Sequence, residues 1–158
     1  FCRIGNRVKF ANGEYYALEE IGDRYLRQAR LVGQIAAAGE QKTSCVALIT
    51  LSEDLLAAQA LAKKLGVSFI SPRELVYHPA IVGMARQEFE AIRHADADAK
   101  AHPYERIEKV IYLRPFSAEN GEATPTQKTR LRHILDKYER EIASLYASDE
   151  TFLVLEAP

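Results

Sequence analysis

In the stretch Asn120-Gly121-Glu122-Ala123-Thr124-Pro125-Thr126-Gln127-Lys128-Thr129-Arg130-Leu131-Arg132, a lysine stands in a polar loop just ahead of a strongly periodic apolar segment. Thr124 or Thr126 suits the N-cap of the helix that this periodicity predicts, because a threonine hydroxyl accepts from the free N–H groups of a first turn. That cap places Lys128 in the first turn, where the helix dipole disfavours a cation by a few tenths to about 1 kcal/mol. Two readings follow. A solvated lysine tolerates so small a cost, whereas a lysine acting with the helix N-terminus clamps a phosphate or a carboxylate.

Other groupings of reactive side chains are weaker. His94, Asp96, Asp98 and His102 suggest a metal site. On a helix, however, carboxylates two residues apart diverge around the surface, and no glycine provides the turn of a calcium loop, so a solvated helix end is expected. Lys128, Arg130, Arg132, His133, Lys137 and Arg140 form a basic run that Asp136, Glu139 and Glu141 interrupt, with no aromatic pair on which bases could stack. We read it as a solvated helix face. No motif supports serine-histidine or cysteine-histidine catalysis, and no glycine-rich phosphate loop is present.

Composition narrows the class further. The 158 residues carry 21 basic and 22 acidic side chains for a net charge of -1, which removes the bulk electrostatic argument for a nucleic-acid partner. With 47% hydrophobic and 27% charged residues, the chain is too apolar for general disorder. A domain of this length buries roughly 70% of its unfolded surface, enough for a core of its own. Cys2 and Cys45 have no cysteine neighbours and read as free thiols of a reducing compartment. No apolar run approaches the roughly 20 residues that span a bilayer. The start at Phe1-Cys2-Arg3, without methionine, reads as a cut from something longer.

The elements that must position these residues follow from pattern. Asn12-Gly13 between two short β-prone runs predicts a tight hairpin, and residues 18–27 follow as a short helix with Glu19 and Glu20 in its first turn. Residues 31–38 and 44–51 are Val-, Ile- and Thr-containing runs separated by a polar connection, which predicts an antiparallel pair. Ser52, Glu53-Asp54, Lys63-Lys64 and Gly66 bracket a further helix, and Ser71-Pro72-Arg73-Glu74 is a capping box opening a short one. Residues 80–101 are loosely helical with an end expected to fray at residues 94–98, and residues 107–113 alternate as a third strand. The last helix is expected over 126–147, with Leu131, Ile134, Leu135, Tyr138, Ile142, Leu145 and Tyr146 on one stripe. Residues 151–155 read as either a short strand or a tail. The expected class is α+β, a small antiparallel or mixed sheet of three central strands plus the N-terminal hairpin, flanked by helices.

At this point the residues carry a resemblance. Thr124-Pro125-Thr126-Gln127-Lys128-Thr129-Arg130 resembles the "TPTLKxK" signature near the C-terminus of long-chain acyl-CoA synthetases, which are adenylate-forming enzymes. The opening, from Arg3 through Gly13-Glu14-Tyr15 to Ile21, is similar to the same family's "DRxKxxxKLxxGEYVAPExIE" segment, and Tyr138 to Tyr146 resembles its closing "IDxLY" helix. The motifs stand in the family's order, and the likeness covers nearly the whole chain. Cys2-Arg3 stands where the family has Asp-Arg at an interdomain hinge, Gly5 where it has a hinge-region lysine, Gln127 where it has leucine or glycine, and Leu18 where it has proline.

The resemblance implies a C-terminal lid domain at residues 18–147, preceded by a hinge-proximal strand and hairpin at 1–17 and followed by a tail at 148–158. A large N-terminal domain, outside this chain, would hold ATP, Mg2+ and the fatty acid. It further implies that Lys128 serves acyl-adenylate formation and that Lys9 and Gly13 lie on the face used when coenzyme A attacks. Alone, this segment is expected neither to turn over nor to hold those cofactors. The implied location is cytoplasmic or peripheral at a membrane surface. A fatty acyl-AMP ligase that passes the acyl group to a carrier protein, and a non-catalytic interaction domain that kept the lid fold, are the alternatives.

Overall fold

The computed structural model describes residues 7–52, 66, 72–99, 105–125 and 129–156. A hairpin of β1 (Arg7–Lys9) and β2 (Tyr15–Ala17) leads into α1 (Leu18–Gln28). Strands β3 (Val32–Ala38) and β4 (Cys45–Leu51) follow, then helices α2 (Pro72–Tyr77) and α3 (Pro79–Asp98) and strand β5 (Ile107–Leu113). The described chain closes with α4 (Leu131–Lys137), α5 (Glu139–Ala147) and β6 (Phe152–Val154). The helix expected to end at Gly66 and the Ser71 cap lie outside the described residues.

The main sheet runs β3-β4-β5-β6, with β3 antiparallel to β4 and both β5 and β6 parallel to their neighbours. The expected antiparallel pair and third strand are therefore present, and residues 152–154 add a fourth strand where a tail was the other reading. β4 is buried along its whole length, because helices cover both faces and its run Cys-Val-Ala-Leu-Ile-Thr-Leu has no polar side to expose. Alternate residues divide into two cores. Ile35, Ala37, Ala47, Ile49, Val110 and Tyr112 pack with residues of α1 and α3, while Ala36, Val46, Leu48, Ile111 and Leu113 pack with residues of α4 and α5. The strict alternation expected across residues 107–113 is broken by a register shift near Cys45, which puts Ile107 in the same core as Val110 and Tyr112.

Three local expectations need correction. The turn at Asn12-Gly13 is a three-residue connection in which Gly13 N donates to Phe10 O and Phe10 N to Glu14 O, and Gly13 alone takes a positive φ, +85°. The end of α3 does not fray: the helix continues to Asp98, and Asp96 is only 9% exposed, accepting from Gln28 Nε2 at 3.1 Å and pairing with Arg24 at 3.5 Å. The last helix is two helices, interrupted at Tyr138 and beginning at Leu131. At the other end of this pair, Lys109 of β5 donates Nζ to Leu145 O at 3.0 Å and to Ser148 O, placing a cation on the carbonyl end of α5 where the dipole favours it.

Candidate functional site

Lys128, with Thr126 and Gln127, lies outside the described residues, and the site is built from what holds the two ends of its loop. Ala123 and Thr129 form an antiparallel bridge, and Arg130 N donates to Glu122 O at 2.9 Å. These two contacts hold residues 122–123 beside residues 129–130. Upstream, Ser117 O accepts from both Glu122 N and Ala123 N, Asn120 N donates to Ser117 Oγ, and Gly121 supplies the positive φ of +72° that the turn requires. The N-cap of α4 is Arg130, with no side-chain cap bond, so Thr124 does not cap this helix, and Thr126, the other candidate cap, lies outside the described residues. α4 itself begins at Leu131, three positions after Lys128 in the sequence.

Beneath the loop, the Glu122 side chain is fully buried. Arg114, just past β5, donates to it at 2.6 Å, Lys137 of α4 at 3.2 Å, and the Tyr138 hydroxyl at the helix break also donates to it. Burial by itself would raise the carboxyl pKa, but the hydrogen bonds from Arg114, Tyr138 and Lys137 outweigh it and hold the group below the usual carboxylate range. Burial likewise opposes the charge on Arg114, and its bond to Glu122 more than offsets that, raising the guanidinium pKa. Tyr138 is pushed up by burial and by its bond to Glu122. Tyr138 stands at the helix break, where its ring is buried with the stripe and its hydroxyl reaches Glu122.

A second tie comes from β3. Gln34 accepts from Phe116 N at 2.8 Å and donates to Phe116 O at 3.2 Å, while the Thr50 hydroxyl donates to Gln34 Oε1 at 2.9 Å. A cleft of about 390 Å³ opens beside this tie, lined by Glu19 and Asp23 of α1, by Gly33 and Gln34, and by Thr129 and Leu131 at the downstream end of the loop.

The other sequence-derived candidates fall elsewhere. Lys9 and Gly13 are both exposed on the hairpin, whose β1 is tied to the β3–β4 connection by Gln41 N donating to Lys9 O. Cys2, Arg3 and Gly5, assigned to the hinge, lie outside the described residues. The basic run is not uniformly solvated: Lys137 serves Glu122, Arg132 lies 3.8 Å from Glu40, and Arg130 donates to Gly121 O. Among the described residues, no group of three or more His, Cys, Asp or Glu side chains is placed to hold a metal ion, and no helix is long and apolar enough to cross a membrane. Arg114 and Gln34 did not stand out in the sequence, and Glu122 and Tyr138 stood there as a loop residue and a core-stripe residue with no polar role. The available signals were a glutamine inside the apolar run 31–38 and a lone glutamate between glycine and alanine.

No family model matches the chain. Among curated proteins, it is 34% identical over 150 residues to long-chain-fatty-acid–CoA ligase 1 of Schizosaccharomyces pombe, covering 92% of this chain and 21% of that protein. It is 28% identical to the peroxisomal long chain acyl-CoA synthetase 6 of Arabidopsis thaliana, over 91% of this chain and 20% of the relative. The chain thus spans about a fifth of the length of the curated relatives it matches. Among solved structures, it superimposes on the adenylation domain of a carboxylate reductase from Mycobacterium chelonae with a TM-score of 0.63 at 19% identity, over 93% of this chain and 20% of that one. The corresponding domain from Segniliparus rugosus, solved with AMP and a co-purified carboxylic acid, gives 0.63 at 20% identity, over 92% of this chain and 20% of that one. With these matches added to the two motifs and the mixed sheet, the chain is a homologue of the C-terminal portion of long-chain acyl-CoA synthetases and shares its fold with part of the carboxylate reductase adenylation domains.

Proposed function

We propose that this chain is the C-terminal lid of an ATP-dependent long-chain fatty acid–CoA ligase and that Lys128 serves its first half-reaction. In that step a carboxylate oxygen attacks the α-phosphorus of ATP, forming the acyl-adenylate as the bond to pyrophosphate breaks. Both reactants are anionic, so a lysine placed between them offsets repulsion that grows toward the transition state. The observation that carries the reading is the closed base of the loop, where the Ala123–Thr129 bridge and the Glu122–Arg130 bond hold both ends of a short segment containing the lysine. A short segment with both ends fixed has less freedom to lose on meeting a substrate than an open tail.

In the second half-reaction the thiol of coenzyme A attacks the acyl carbonyl and AMP departs, with Lys9 and Gly13 on the face presented after the lid rotates. ATP, Mg2+ and the fatty acid are assigned to the larger N-terminal domain, this chain's partner, and the setting is cytoplasmic or peripheral at a membrane. Transfer to a carrier protein in place of coenzyme A is the second reading, and likeness to a neighbour solved as an A-PCP didomain favours keeping it.

The test is acid-dependent pyrophosphate exchange in the full-length protein and its Lys128→Ala variant. A fall on the order of 100-fold or more is expected from losing one such electrostatic contact. An undiminished rate refutes the assigned role and favours a non-catalytic domain. Supplying coenzyme A and a carrier protein separately then distinguishes the two acceptors.

A further inference from the structure

We infer that Glu122 is a positioning residue for the loop that carries Lys128, acting in the first half-reaction and not in the second. The inference rests on the reading of Lys128 given above. Glu122 is adjacent to the pair that closes the loop, and it is held from both sides. Its main-chain carbonyl accepts from Arg130 N and its main-chain N–H donates to Ser117 O. Its fully buried carboxylate takes donors from three places in the fold: Arg114 after β5, Lys137 at the end of α4 and Tyr138 at the α4–α5 break.

A buried charge is a poor means of simply stabilising a loop, because desolvation offsets most of the attraction and an apolar replacement of similar volume is often as stable. Directional bonds from three elements do something that an apolar plug cannot, which is to set one position for the backbone at residues 122 and 123. That position is passed through the Ala123–Thr129 bridge to both ends of the loop. A group that must lie between two reacting anions is sensitive to displacements of about 1 Å, which can lower a rate by about 100-fold. The second half-reaction, in which another face of the lid is used, has no such requirement.

The experiment uses the full-length protein with Glu122→Gln, Tyr138→Phe, Lys128→Ala and the double variant Lys128→Ala/Glu122→Gln. Two rates are measured: acid-dependent pyrophosphate exchange, and thioester formation from synthetic hexadecanoyl-adenylate and coenzyme A. Glu122→Gln is expected to lower kcat of exchange by about 10- to 100-fold with KM for acid and ATP nearly unchanged, and to leave the thioester step nearly unchanged. The double variant should be no slower in exchange than Lys128→Ala, since a positioned group that is gone cannot be misplaced. Equal losses in both half-reactions, full exchange activity in a folded Glu122→Gln, or additive losses in the double variant would each overturn the inference. If Glu122→Gln does not fold, Tyr138→Phe removes one of the donors and carries the same split, a several-fold loss confined to exchange supporting the inference and an equal loss in both steps overturning it. Impairment by Lys128→Ala without impairment by Glu122→Gln sinks only this inference, whereas full exchange in Lys128→Ala sinks the reading of the lysine and this inference with it.

Discussion

Gln34 grips the backbone of Phe116 through both ends of its amide, accepting from Phe116 N at 2.8 Å and donating to Phe116 O at 3.2 Å. The tie fastens the loop after β5 to the edge strand β3, with Thr50 fixing the orientation of the amide. Replacing Gln34 by leucine keeps the volume and leaves three polar groups without that partner. The chain should lose about 1–3 kcal/mol of stability, read as a lowered urea midpoint with an unchanged slope. A midpoint equal to that of the unmodified chain would mean that water substitutes fully for the amide.

Acid should unfold the chain partly through Glu122. Its folded-state pKa is depressed by its hydrogen bonds to Arg114, Tyr138 and Lys137, against burial, so the unfolded state binds the proton more readily. The stabilisation is then complete above the ordinary value of 4.5 and is lost as pH falls through the lower folded value. Melting temperatures measured from pH 6 downward should fall less steeply in Glu122→Gln than in the unmodified chain. Parallel curves would contradict the assignment.

Two glycines should respond oppositely to alanine. A Cβ on Gly39 would stand 2.4 Å from Cζ of Phe10, a ring that is 1% exposed and has nowhere to retreat, so Gly39→Ala should cost about 1–3 kcal/mol and loosen the hairpin. Nothing lies within 4 Å of a Cβ on Gly83, which sits inside α3, and Gly83→Ala should stabilise by up to about 1 kcal/mol. Thermal denaturation of both variants decides the pair, and the same sign for both would refute the packing argument.

Cys45 should be silent to thiol reagents in the folded state. It is fully buried in β4, burial pushes its thiol up to about 12, and Sγ donates to Ala38 O at 3.1 Å. Maleimide at pH 7.5, with the modified peptide located by mass spectrometry, should label Cys45 only as the chain unfolds, so that its labelling rate tracks global opening. Rapid labelling in the absence of denaturant would count against a closed sheet at this strand.

Much of this was legible in the residues. The strands at 31–38, 44–51 and 107–113 follow from short β-branched runs bounded by polar turns, and α1 and α3 follow from their apolar spacing, because these signals depend on near neighbours in the chain. The same is true of the Thr124–Arg130 motif, whose order of residue types survives as a resemblance wherever the chain folds. The amino-acid sequence by itself thus determined these strands and helices, the α+β class and the identity of the lysine to test. Only the tertiary structure decided that β5 and β6 run parallel to β4, that the last helix breaks at Tyr138, and that Gln34 meets Phe116. It also decided that Arg114, Lys137 and Tyr138 converge on Glu122. Hydrophobic period records which face of an element is buried, but a buried polar group takes its partners from whatever the crossovers bring beside it, and no local spacing encodes that meeting.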